Sequence, residues 1–133
     1  ISEEDNSIES LLEEVLRDSE ISPSDIDYVN AHGTGTVQND AVEARIVRRV
    51  FKDHPFVNST KSLLGHTIGA CGAIEAAVVI QSLRTGKLHP SMGLCEPVEP
   101  LNFVRSRTAA DIWLALTQNF GFGGHNAVAV FAK

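Results

Sequence analysis

The stretch Lys61-Ser62-Leu63-Leu64-Gly65-His66-Thr67-Ile68-Gly69-Ala70-Cys71-Gly72 decides how this chain is read. A lysine and a histidine stand five residues apart, and a run of tiny residues then opens a segment reading as a helix to about Arg84. Ala73, Ile74, Ala76, Ala77, Val78, Val79, Ile80 and Leu83 make that helix apolar on every face, which belongs in the middle of a domain. Gly65, Gly69, Ala73 and Ala77 recur every fourth residue and share one face of a regular helix, where another backbone can approach closely. Lys61 and His66 are thus expected at the mouth of a buried helix, where ionisable groups are costly unless paired or functional.

Working outward, Phe56 to Thr60 reads as a short strand leading into this stretch, and Gly86 is a natural helix stop. Residues 87 to 110 hold three prolines and read mostly as loop. Ile112 to Gln118 is an apolar strand, Asn119 to Asn126 a glycine-rich turn, and Ala127 to Phe131 a last strand able to pair antiparallel with the one before. Upstream, Ile8, Leu11, Leu12, Val15 and Leu16 give an amphipathic helix from Ser7 to Arg17 with an acidic outer face. Residues 1 to 6 are polar and expected to fray. Ser22-Pro23-Ser24-Asp25 reads as a capped turn, and Ile26 to Ala31 as a strand ending in His32-Gly33-Thr34-Gly35-Thr36. A helix then starts at Asn39-Asp40, with Asp40 as N-cap and Glu43 three residues on. Strand and helix alternate, which predicts an α/β fold with a mixed, mostly parallel sheet and helices on its faces. His32 and Lys61 then follow strand carboxyl ends, where open α/β sheets build their sites.

The 133 residues suffice for one domain with a core, and the 43% hydrophobic content is ordinary. A formal charge of −6 disfavours non-specific nucleic-acid binding. Cys71 and Cys95 make neither a metal spacing nor a disulfide framework, which points to a reducing, cytoplasmic setting. Glu75 and Gln81 interrupt the apolar helix and argue against a membrane span.

The segments VNAHGTGT, KSLLGHTIGACG and NFGFGGHN, in this order, resemble the C-terminal half of a β-ketoacyl synthase of the thiolase superfamily, of the stand-alone or type II kind. The resemblance covers the chain from about Ser7. It implies a decarboxylative Claisen condensation: an acyl group, held on a cysteine, is joined to malonyl-carrier protein with loss of CO2. By resemblance His32 and His66 match the two catalytic histidines, Lys61 the lysine of their network, and Glu43 the acid paired with it. Thr34 and Thr36 match hydroxyls that contact the phosphopantetheine arm. Phe120 matches a gating phenylalanine whose backbone N–H helps form the oxyanion hole. No cofactor is implied beyond the carrier's phosphopantetheine. The implied partners are a cysteine-bearing N-terminal half, an acyl carrier protein, and a second synthase subunit in a homodimer or heterodimer. The family's nucleophile has no counterpart here, so residues 1–133 are expected to be an incomplete C-terminal domain, inactive alone and lacking a first strand that would lie mid-sheet.

Other readings compete. His32 and His66 offer two zinc ligands with no suitably spaced third. Cys71 sits near a helix start, which can activate a thiol, but a buried cysteine is ordinarily an inert small core residue. Glu43 can serve as a bare capping residue, and Thr34 and Thr36 as loop caps. A non-catalytic partner resembling a chain-length factor would have no need of both histidines. A thiolase without decarboxylation would be expected to carry a second cysteine near residues 119 to 126, where there is none.

Overall fold

The computed structural model describes residues 6–133; the expectation of a frayed start falls largely on residues outside these. Helix α1 (Ser7–Asp18) buries Ile8, Leu12 and Leu16, the stripe its periodicity predicts. A 3-10 turn (Pro23–Asp25) follows, its Asp25 carboxylate accepting from the Ser22 N–H at 2.9 Å. Strand β1 (Tyr28–Asn30) leads through the HGTGT loop to α2 (Val37–Phe51), then to β2 (Phe56–Asn58). A single-turn helix α3 (Lys61–Leu64), a 3-10 turn (Ile68–Ala70) and α4 (Cys71–Thr85) come next. The region expected to be loop holds three two-residue strands, β3 (Lys87–Leu88), β4 (Asn102–Phe103) and β5 (Thr108–Ala109). Strands β6 (Leu114–Phe120) and β7 (Asn126–Ala132) close the chain as an antiparallel pair.

The main sheet has the order β4-β2-β1-β6-β7, with β3 and β5 forming a separate ribbon. Helices α1 and α2 cover one face, enclosing Leu12, Val29, Ile46, Val57 and Leu116. Helix α4 lies on the other, packing its Val79 and Leu83 over Tyr28 and Ala115. Strand β1 pairs in parallel with β2 on one side and β6 on the other, so the sheet has no mid-sheet gap. The first strand expected from resemblance therefore has no vacant place between these five.

Three expectations are corrected. The N-cap of α2 is Thr36, whose Oγ1 accepts from the Asn39 N–H at 3.3 Å, while Asp40 lies in the first turn. The small-residue run does not form one helix. Gly65 (φ +76°) ends α3 and Ile68 (φ +53°) breaks the chain again, so Gly65 and Gly69 do not share a face with Ala73 and Ala77. Helix α4 is covered on one side only: Cys71, Glu75, Val79, Ser82 and Leu83 are buried, whereas Ala73, Ala77 and Ile80 are exposed. Residues Ile68–Thr85 are apolar and long enough to cross a membrane by composition. Glu75, in their middle, is nonetheless ion-paired against the sheet.

Candidate active site

Alternation along the strands decides which side chains meet at the carboxyl end of the sheet. Val29 and Ala31 enter the core beneath α1 and α2, so Tyr28, Asn30 and, past the strand's end, His32 turn the other way. Along β6, Leu116 and Phe120 join the α1–α2 core, while Thr117 bonds Asn30 and Asn119 bonds Glu75 of α4.

His32 is buried, and its ring centroid lies 5.8 Å from that of the exposed His66, edge to face. The two imidazoles are held alike: the Ile68 N–H donates to His66 Nδ1 at 3.0 Å, and the Phe120 N–H to His32 Nδ1 at 3.4 Å. A neutral ring that accepts at Nδ1 carries its proton on Nε2, which sets His66 to offer an Nε2–H donor; at His32 the Phe120 N–H favours the same tautomer, against Asn119 Oδ1 at 3.3 Å from the same nitrogen. Ile68 is β-branched and left-handed at φ +53°, a conformation such residues rarely adopt, and its N–H is the one that holds His66. Burial, and after it the positive charge of Lys61, push the His32 pKa down to about 4, so this ring is neutral near pH 7.

Lys61 Nζ donates to Glu75 Oε1 at 2.6 Å, and both side chains are buried. Asn119 bridges this pair, its Nδ2 donating to Glu75 Oε2 at 2.6 Å and its Oδ1 accepting from Lys61 at 3.2 Å. The pairing of Lys61 with Glu43 expected from resemblance is therefore corrected. Glu43 reaches from α2 to the backbone of the HGTGT loop. Its Oε1 accepts from the His32 N–H (2.7 Å) and Gln118 Nε2 (2.6 Å), its Oε2 from the Gly33 N–H (2.8 Å) and Asn39 Nδ2 (3.0 Å). Burial pushes its carboxyl up and these donors oppose the shift. Asn39 and Gln118 turn their amide nitrogens to Glu43 and leave Asn39 Oδ1 and Gln118 Oε1 without partners, an arrangement that favours an ionised acceptor.

The same loop needs its glycine. Gly33 has φ +46°, and a Cβ there would stand 2.4 Å from the Cβ of Ser59, whose hydroxyl donates to the Gly33 carbonyl at 2.7 Å. Thr34 Oγ1 lies 3.1 Å from Thr36 Oγ1. Thr34, Glu43 and Lys61 line a cavity of about 340 Å³ that runs beneath residues 91–103; neither His32 nor His66 lines it, and neither does Thr36.

Phe120 is 8% exposed and packs in the α1–α2 core, its ring 5.2 Å from that of His32. Its N–H, expected at an oxyanion hole, is directed at His32 Nδ1. Cys71 is buried at the start of α4 with Sγ 3.2 Å from His66 Nδ1 and 3.3 Å from Thr67 Oγ1. Among the described residues no cluster of three His, Cys, Asp or Glu side chains could hold a metal.

Sequence reasoning missed Glu75 and Asn119, although both left a signal. Glu75 falls on the Cys71–Glu75–Val79 stripe that α4 buries, and an acid there demands a cation. Asn119 lies on the face of β6 opposite Leu116 and Phe120, which directs it to α4.

The sequence profile of the family "Beta-ketoacyl synthase, C-terminal domain" matches residues 1–94. A 3-oxoacyl-[acyl-carrier-protein] synthase I, chloroplastic, of Hordeum vulgare is 38% identical over 122 residues, covering 88% of this chain and 26% of that protein. A crystal structure of a β-ketoacyl synthase from Burkholderia phymatum superposes with a TM-score of 0.92 at 33% identity over 96% of this chain and 32% of that one. A type II acyl-carrier protein in complex with its ketosynthase bound to the hexaketide gives a TM-score of 0.87 at 30% identity, over 94% of this chain and 32% of that one. The fold and site define a ketosynthase half of thiolase-like architecture. This chain belongs to the β-ketoacyl synthase family, as its C-terminal domain, and spans about a quarter to a third of the length of the relatives it matches.

Proposed function

We propose that this chain is the histidine-bearing part of a condensing enzyme that joins an acyl thioester to malonyl-carrier protein by decarboxylative Claisen condensation in fatty-acid or polyketide synthesis. The observation that carries this reading is the pair of adjacent imidazoles, each accepting a backbone N–H at Nδ1. Loss of CO2 from a malonyl thioester leaves an enolate, and two Nε2–H donors fixed beforehand stabilise the charge that develops on its oxygen. A neutral His32 fits that donor role. The Lys61–Glu75 pair orients the floor of the site, Glu43 holds the loop that carries His32, and Thr34 offers a hydroxyl to the pantetheine arm. Phe120 forms a wall beside His32.

The acyl group rides on a cysteine thiolate supplied by the N-terminal half, in an assembly with a second synthase subunit. Leu63, Leu64, Ile68 and Phe122 are all exposed around this end of the sheet, as such a contact would need. The carrier protein delivers the substrate as a phosphopantetheine thioester, and no further cofactor takes part. Free Cys71 and Cys95 fit a reducing compartment, the cytoplasm in a bacterium.

The test is His66→Ala in the completed enzyme, which should abolish malonyl decarboxylation and leave acyl loading onto the cysteine, because loading needs the thiolate and not the enolate donors. Lost loading with normal decarboxylation would overturn these roles.

A further inference from the structure

His89 has no part in the chemistry described above, yet it holds both ends of a buried chain of polar side chains beneath the site. Its carbonyl accepts from Asn58 Nδ2 at 2.8 Å. A carbonyl only accepts, so the Asn58 carboxamide meets it with nitrogen, and Asn58 Oδ1 turns into the sheet. There Oδ1 accepts from the Tyr28 hydroxyl at 2.7 Å and from Asn30 Nδ2 at 3.1 Å, which fixes the Asn30 carboxamide in turn. Burial pushes the Tyr28 pKa up to about 12, so this hydroxyl keeps the proton it donates. Asn30 Nδ2 also donates to Thr60 Oγ1 at 2.8 Å, and Asn30 Oδ1 accepts from the Thr117 hydroxyl at 3.3 Å. The Thr60 proton is then free to go to His89 Nε2 at 3.0 Å. On the other side of the ring Nδ1 lies 2.9 Å from the Pro90 carbonyl, which demands an Nδ1–H. Tyr28, Asn30, Asn58, Thr60 and Thr117 are all buried. Each bond therefore has one direction, and the chain closes on His89 through its backbone and its imidazole.

We propose that His89, with its proton on Nδ1 and Nε2 bare, is a positioning residue that locks this chain and so sets the strand ends bearing the site. The three strands it joins are in register, with Asn30 of β1 beside Asn58 of β2 and Thr117 of β6. His32 stands two residues beyond Asn30, Lys61 one beyond Thr60, and Asn119 two beyond Thr117. The chain thus lies just beneath the groups that meet at the carboxyl end of the sheet. Ser91 and Ser62 tie down the same segment: the Ser59 N–H donates to Ser91 Oγ at 3.0 Å, and the Met92 N–H to Ser62 Oγ at 2.9 Å. Without an acceptor at His89 Nε2 the buried Thr60 hydroxyl keeps an unplaced proton, a cost relieved by shifting Thr60 and with it Lys61. Only the kinetic consequence rests on the condensing reading.

The test starts with nitrogen NMR of the histidine rings at about pH 8, where free imidazoles are neutral, on the complex of this chain with the cysteine-bearing half. Only this chain is labelled with 15N-histidine, so its five histidines alone give signals. His89 is expected to show a protonated Nδ1 and a bare Nε2, and a proton on Nε2 would overturn the proposal, whichever variants fold. In the reaction, His89→Leu removes the acceptor and should lower kcat for malonyl decarboxylation roughly tenfold at unchanged KM. His89→Gln places an amide oxygen near the position of Nε2 and should keep kcat within about twofold. Thr60→Val should match His89→Leu, and the two together should cost no more than either alone, since they break one link. A fall in melting temperature for His89→Leu with kcat unchanged would show a merely structural residue and overturn the proposal, as would additive losses in the double variant. The expected tautomer in a complex that never decarboxylates malonyl thioesters would instead refute the condensing reading alone.

Discussion

Lys61 has two buried acids within its end of the sheet, and only one of them is its partner. Glu75 meets Nζ at 2.6 Å, whereas Glu43 is occupied by N–H donors of the HGTGT loop, α2 and β6. The distinction is measurable by double-mutant cycles in denaturant unfolding of the completed enzyme. Lys61→Met combined with Glu75→Gln should show a coupling of about 2–3 kcal/mol, because each single change strands a buried charge. Lys61→Met with Glu43→Gln should be additive within about 0.5 kcal/mol. The reverse ordering would restore the pairing that resemblance implied. Cys71 poses the opposite question, a suggestive contact without a needed role. His66 Nδ1 already accepts the Ile68 N–H, and a thiol is a weak donor, so Cys71→Ala should keep most condensing activity. Complete loss, with an acyl adduct mapped to Cys71 in the unmutated protein, would show it to be a nucleophile.

At the scale of elements, period and punctuation carried the sequence reading far. The stripe of α1, the capped turn at Ser22, the extended runs of β1, β2, β6 and β7 and the glycine stop of α4 were all legible. What failed did so for physical reasons. An apolar segment says that a helix wants cover and not whether this chain provides it, and α4 leaves Ala73, Ala77 and Ile80 open. Two-residue strands such as β4 are too short to show a period, and they exist because a neighbouring strand offers its edge. The partner of Lys61 depended on which face of α4 is buried, a tertiary fact that the stripe through Glu75 only hinted at. The start of α2 was misread because Asp40 and Thr36 both fit a cap, and the hydroxyl reached the Asn39 N–H. Thr36→Ala should therefore cost about 1 kcal/mol in thermal or denaturant unfolding, and Thr36→Ser very little. Equal costs for the two changes would remove the cap from the account of Thr36.

For the whole molecule, the continuous five-stranded sheet removes one reason to expect instability, since β1 is paired on both sides. Another reason stands. Leu63, Leu64, Ile68, Ile80 and Phe122 are exposed, and His66 sits among them on an open surface rather than in a closed pocket. Enolate stabilisation by N–H donors needs a site from which water is excluded, so the imidazoles call for a covering surface as well as for a thiolate. The central claim is that these residues supply the donors and another polypeptide segment the nucleophile. The direct test is a malonyl-carrier condensation assay, run alongside sedimentation, on this chain with and without the cysteine-bearing half of a β-ketoacyl synthase added in trans. The chain alone should self-associate and form no condensed product, and the mixture should sediment as one defined complex and release β-ketoacyl-carrier and CO2. A monodisperse chain that condenses substrates by itself would contradict the account.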